Sequence, residues 1–166
     1  MKIVSGEIKD IFNKLIKPSG TVSPEISGIT GITPEMLEGC AGINDVLGEF
    51  ISFIGRETLI AHNTEFDLTF IKDKASKFLG KTVDNPSVCT LELSRALLPN
   101  LENHKLHTIA SYFKVPISAR HRAIGDVEAT YQIWLKMVDK LKGKNIHTID
   151  ELRSFLKQHS ANRTPF

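Results

Sequence analysis

Thr58-Leu59-Ile60-Ala61 and Ser87-Val88-Cys89 are short apolar runs bounded by polar and turn-forming residues, and each gives way at once to a segment with a helical apolar period. A run that short is long enough for a strand and too short for a helix, so each junction reads as a strand delivering the chain into a helix. After the first, Phe66, Phe70, Ile71, Phe78 and Leu79 trace a helix ending at Gly80, which places Asp67 in its first turn. After the second, a helix runs from Leu91 to Leu98 and stops at Pro99. Strands that alternate with helices define an α/β domain.

The remaining elements follow from the same signals. Val46, Leu47, Phe50, Ile51 and Ile54 mark an amphipathic helix with Asn44 as N-cap and Gly55 beyond its end. Leu106, Ile109, Ala110 and Phe113 mark another, and Asp126 opens a long one through Trp134 and Leu141 to Gly143. Thr148 and Glu151 have the spacing of a capping box for a last short helix. At the start, Met1 to Val4 is β-prone and Ser5-Gly6 reads as a tight turn. The spacing of Ile8, Ile11, Phe12, Leu15 and Ile16 fits a helix better than a strand. Val22 to Gly31, rich in Ser, Thr, Pro and Gly, reads as an ordered surface loop, and Thr33 with Pro34 as the start of a short helix. The expected organisation is one main domain over residues 1–142 and a C-terminal helix and tail over 143–166.

Length and composition exclude several classes. A chain of 166 residues with 41% hydrophobic content can bury a core without disulfides or metal staples. Cys40 and Cys89 have no metal-like spacing and read as reduced thiols. No apolar run approaches a membrane span, Met1 to Val4 lacks a signal-peptide core, and a cytoplasmic protein without membrane contact is expected. A net charge of +2 leaves nucleic acid neither favoured nor excluded.

Asp67 and Asp126 each stand in the first turn of a helix, where an acid opposes the positive end of the helix dipole; that alone accounts for many such residues. Their place beside strand-to-helix junctions or loops, with His121 five residues ahead of Asp126, is also where α/β domains gather ligand groups. His62 reads as satisfying buried polar groups at a strand end, Asn63 is divided between that role and ligand binding, and His104 and His107 read as surface residues. The aromatic set Phe66, Phe70, Phe78, Phe113 and Trp134 reads as core, and the lysines from Lys136 to Lys144 as a solvated face.

Ala61-His62-Asn63-Thr64-Glu65-Phe66-Asp67, with His121-Arg122-Ala123-Ile124-Gly125-Asp126 downstream, resembles the second and third motifs of the DEDDh group of DnaQ-like 3′-to-5′ exonucleases, related to the DNA polymerase III epsilon subunit. Ile26 to Met36 and Cys89 to Arg95 resemble further segments of that family, so the likeness runs in order from about Ile3 to about Val138. The resemblance implies an RNase H-like mixed sheet flanked by helices, and two-metal hydrolysis of phosphodiester bonds with Mg2+ or Mn2+. It also implies that Asp67 and Asp126 are metal ligands, that His121 is the general base, and that Asn63 contacts substrate. The implied partners are 3′ ends of DNA, or of RNA, and a polymerase subunit or fused module.

The family's first motif, an Asp-x-Glu-Thr on the opening central strand, has no counterpart here; Met1 to Ile8 resembles the end of the second strand and the turn into the third. About 20 to 25 residues of the family's fold would precede it. Such a strand buries enough apolar surface to rival a domain's whole net stability, so a marginal chain is expected. The resemblance also makes Glu7 to Ile16 a strand, against its period, and the strand is the expectation followed for this segment. Three readings remain from the sequence: an exonuclease domain shown without its first motif, an RNase H-like nucleic-acid-binding or interaction domain with impaired catalysis, and a non-functional fragment. Little nucleotide release is expected from this chain alone.

Overall fold

The computed structural model describes residues 1–117 and 123–160. Strands β1 (Lys2–Val4) and β2 (Glu7–Asp10) form an antiparallel hairpin. Its turn, Ser5 (φ 53) and Gly6 (φ 80), has positive φ at both central residues, the geometry that matches the twist of paired strands. The segment after β2 has no regular structure, although its apolar spacing predicts a helix. Tertiary contacts override the period. Phe12 packs against Phe50 and Phe53 at centroid distances of 5.6 and 5.5 Å, and Lys17 N donates to the Ala41 carbonyl, holding the chain extended.

Residues expected as a loop form helix α1 (Pro24–Thr30), capped by the Ser23 hydroxyl on the Ile26 amide and closed by Gly31 at φ 67. A single 3-10 turn, Glu35–Leu37, follows Pro34 where a short helix was expected. Helix α2 (Ile43–Ile54) begins from Gly42, with Asn44 inside the first turn rather than at the cap, and ends at Gly55. It packs on helix α3 (Thr64–Leu79), which follows strand β3 (Leu59–Ala61) and ends at Gly80 in the left-handed conformation. Strand β4 (Ser87–Cys89) runs parallel to β3, with Leu59 opposite Ser87, Ile60 opposite Val88 and Ala61 opposite Cys89.

Helix α4 (Thr90–Leu97) leaves β4 without a break, and α5 (Leu106–Phe113), α6 (Ala123–Lys142) and α7 (Ile149–Ser160) complete the order. The capping box is present: the Thr148 hydroxyl accepts from the Glu151 amide at 3.2 Å, and the Glu151 carboxylate accepts from the amides of His147 and Thr148.

Among the described residues, two apolar clusters organise the fold. One joins Val88, Leu93, Ile109, Ile133, Met137 and Leu152 from β4, α4, α5, α6 and α7, with Trp134 and Phe113 against it. The other joins Ile54, Ala75 and Val83, with Phe50, Leu59 and Ile71 against it. The architecture is α/β as expected, but among the described residues the strands form one antiparallel and one parallel pair rather than one continuous mixed sheet. The aromatic expectation fails for α3: Phe66 is 74% exposed, Phe70 55% and Phe78 39%.

Candidate active site at the strand-to-helix turns

The β3-to-α3 turn is built by three consecutive polar residues with different tasks. Asn63 adopts the left-handed conformation (φ 65, ψ 53), which Asn tolerates better than branched residues, and reverses the chain into α3. Thr64 is buried, its hydroxyl set to donate to the carbonyls of Ala61 (3.1 Å) and Val88 (3.2 Å), so that helix start and parallel strand pair are tied by one group. His62 is half-buried, with Nδ1 3.1 Å from the Thr90 hydroxyl. The register explains the meeting: Ala61 opposite Cys89 brings the next residues, His62 and Thr90, side by side. Burial, chiefly, pushes His62 below the ordinary histidine value, against the backbone of His104, which offers the ring an acceptor.

Asp67 stands in the first turn of α3 and is exposed. The protein around its carboxyl still removes enough water to push it above the ordinary aspartate range, partly offset by its own backbone amide. Asp126 stands in the first turn of α6 and is half-buried, and its carbonyl accepts from the Thr130 hydroxyl at 2.7 Å. His121 lies outside the described residues. Both aspartates therefore occupy the helix starts expected of them, on two helices connected through β4 and α4. Among the described residues no three His, Cys, Asp or Glu side chains converge to hold an ion. Hard carboxylate oxygens suit Mg2+ or Mn2+. Asp67 and Asp126 supply that donor chemistry in part, and fewer groups than two ions require.

The sequence does not announce the network behind the turn. Ser94 is buried, and its hydroxyl lies 2.7 Å from the Leu91 carbonyl and 3.0 Å from His104 Nδ1. His104, expected at the surface, is half-buried instead, while His107 is exposed as expected. A cavity of about 430 Å³ opens beside the same turn, lined by Asn63, Thr64, Lys72, Cys89, Arg95 of α4 and Arg153 of α7, although neither Asp67 nor Asp126 lines it.

The family model described as Exonuclease matches residues 1–134, and the chain belongs to that family. It is a DnaQ-like 3′-to-5′ exonuclease domain, a nuclease of the hydrolase class. The DNA polymerase III PolC-type of Caldanaerobacter subterraneus subsp. tengcongensis is 40% identical over 162 residues, covering 98% of this chain and 12% of that protein. The PolC-type polymerase of Bacillus subtilis is 38% identical, covering 97% of this chain and 11% of its own. The chain thus spans 11–12% of the length of these relatives. The solved structure of exonuclease X in complex with 5′ overhanging duplex DNA superposes with a TM-score of 0.64 at 23% identity, covering 93% of this chain and 86% of that one, a likeness of fold. Enzymes of the exonuclease family generally use divalent metal ions.

Proposed function

We propose that this domain removes nucleotides from DNA 3′ ends in a proofreading role, within a cytoplasmic polypeptide that also carries or contacts a polymerase. The observation that carries the reading is the placement of Asp67 and Asp126 in the first turns of α3 and α6, in the order the family motifs have in the sequence. Asp67 and Asp126 are the residues of this chain that would hold Mg2+ or Mn2+, and a bound ion there supplies charge stabilisation to a phosphodiester under attack. His121 takes the proton of the attacking water in this reading, because an imidazole changes charge near neutral pH. Asn63, exposed at the turn four residues before Asp67, presents an amide to the substrate. Grip on the strand comes from phosphate contacts and from its frayed end rather than from sequence readout. The PolC-type relatives support the polymerase context.

The test is nucleotide release from an end-labelled single strand with Mg2+ or Mn2+, on the 166-residue chain and on the same chain extended by a strand bearing Asp-x-Glu-Thr. The extended form is expected to shorten the strand from its 3′ end and to lose at least a hundredfold in rate on Asp67→Asn, Asp126→Asn or His121→Ala. The unextended chain is expected to release far less. No metal-dependent release from the extended form, or release untouched by all three substitutions, overturns the reading.

A further inference from the structure

We infer that His62 is a positioning residue: as a neutral imidazole it donates to the His104 backbone carbonyl, accepts the Thr90 hydroxyl at Nδ1, and so locks the Asn63–Asp67 turn to α4 and to the segment entering α5. This rests on the exonuclease reading only for its effect on rate.

The argument begins with counting protons. The Thr90 hydroxyl has one, and two acceptors within reach: His62 Nδ1 at 3.1 Å and the Ala61 carbonyl at 3.3 Å. A neutral imidazole has one N–H. If that N–H faces the His104 carbonyl, Nδ1 is a bare lone pair, and the hydroxyl turns to it. If the ring is protonated, Nδ1 becomes a donor and the hydroxyl must turn to Ala61 instead. Thr90 is fully buried, so the two arrangements are exchanged within the protein and not through water.

The surroundings favour the neutral arrangement. The charged and titratable groups whose fields reach the ring are Arg95 on α4 and His104 before α5, and both oppose a second positive charge. Burial acts in the same direction. A histidine held below its ordinary value of 6.5 binds fewer protons in the native state than in the unfolded one through the window beneath that value. Its contribution is therefore present above about 6.5 and lost as pH falls through that window. Because Ala61 also accepts from the Thr64 hydroxyl, turning Thr90 toward it makes the two hydroxyls share the carbonyl that starts the turn. The consequence reaches Asn63, and through it the start of α3.

Ring nitrogen spectra and amide exchange on the whole chain from pH 5 to 8 test this without any nuclease activity. The expected result is an Nε2–H tautomer for His62, titrating below the ordinary histidine value of 6.5, with protection of the Asn63 to Asp67 amides falling in the same pH step. His62→Gln, which keeps an amide near the outer nitrogen, should retain most protection and abolish the step; His62→Phe, which only fills space, should lose protection at every pH. In the extended enzyme His62→Phe should lower kcat several-fold with KM changed less than twofold. An Nδ1–H tautomer, titration at or above 6.5, or Phe protecting as well as Gln overturns the inference. An inactive parent enzyme would count against the exonuclease reading alone, since the spectra decide the role of His62 by themselves.

Discussion

Asn63 separates two demands that one residue meets. Its backbone sits at φ 65, a region that costs ordinary residues roughly 1 to 2 kcal/mol and branched ones more. Its side chain caps nothing in α3. Asn63→Gly is therefore expected to leave the urea midpoint within a few tenths of a molar, while Asn63→Val lowers stability by about 2 kcal/mol. If the amide contacts substrate, the Gly variant also shows a raised KM at unchanged stability. Equal stability of the Gly and Val variants would contradict the account. At this scale Asp67 and Asp126 were legible from sequence, because a helix start is a local property. The partners of His62 were not, because Thr90 is 28 positions away and meets it only through the parallel register of β3 and β4.

Elements were legible where their ends carry their own chemistry. Gly80 after α3, Ser87–Cys89 as a strand and the box at Thr148 and Glu151 all appear as expected. Ser23-Pro24-Glu25 was an equally good start for α1, but no residue of that helix is buried, so no apolar stripe supported the signal. Over Glu7–Ile16 the strand implied by the resemblance is present from Glu7 to Asp10 and stops there, and the helical period was outweighed by hairpin pairing and Phe12 packing. The amides of His147 and Thr148 and the Thr148 hydroxyl hold the Glu151 carboxyl below its ordinary 4.5. The native state thus keeps this group ionised where the unfolded chain begins to protonate it. Its stabilisation is present above about 4.5 and lost as pH falls through the lower native value. Thr148→Ala should cost about 1 kcal/mol at pH 7 in thermal melts. Glu151→Gln should flatten the acid limb of the stability curve, and an unchanged limb would count against the box.

For the molecule as a whole, exposed apolar surface has a definite arrangement. Ile3, Val4 and Ile8 are exposed on the hairpin, and Phe66 and Phe70 on α3, where Lys74 Nζ lies 5.3 Å from the Phe70 ring centroid. Surface of this kind marks an interaction face or an association hazard. Sedimentation is expected to show mass rising with concentration, and Phe66→Ser with Phe70→Ser to reduce it while lowering stability by no more than about 0.5 kcal/mol each. A chain that stays monomeric at every concentration, with both rings in place, would contradict this. The largest cluster draws on β4, α4, α5, α6 and α7, so most of the buried apolar surface belongs to the second half of the chain.

One hydrogen bond spans most of the sequence. The Tyr131 hydroxyl donates to the Gly6 carbonyl at 2.6 Å, joining residues 125 positions apart. A bond that distant in sequence forms only after the intervening chain has been ordered, since loop closure is unfavourable until other contacts offset it. The hairpin of β1 and β2 is therefore expected to dock late and to open early, which amide exchange at Val4 and Ile8 compared with α6 would show. During synthesis, residues 1–10 leave the ribosome before α6 and are fastened only once it has followed, so this hairpin matures after segments that are made later.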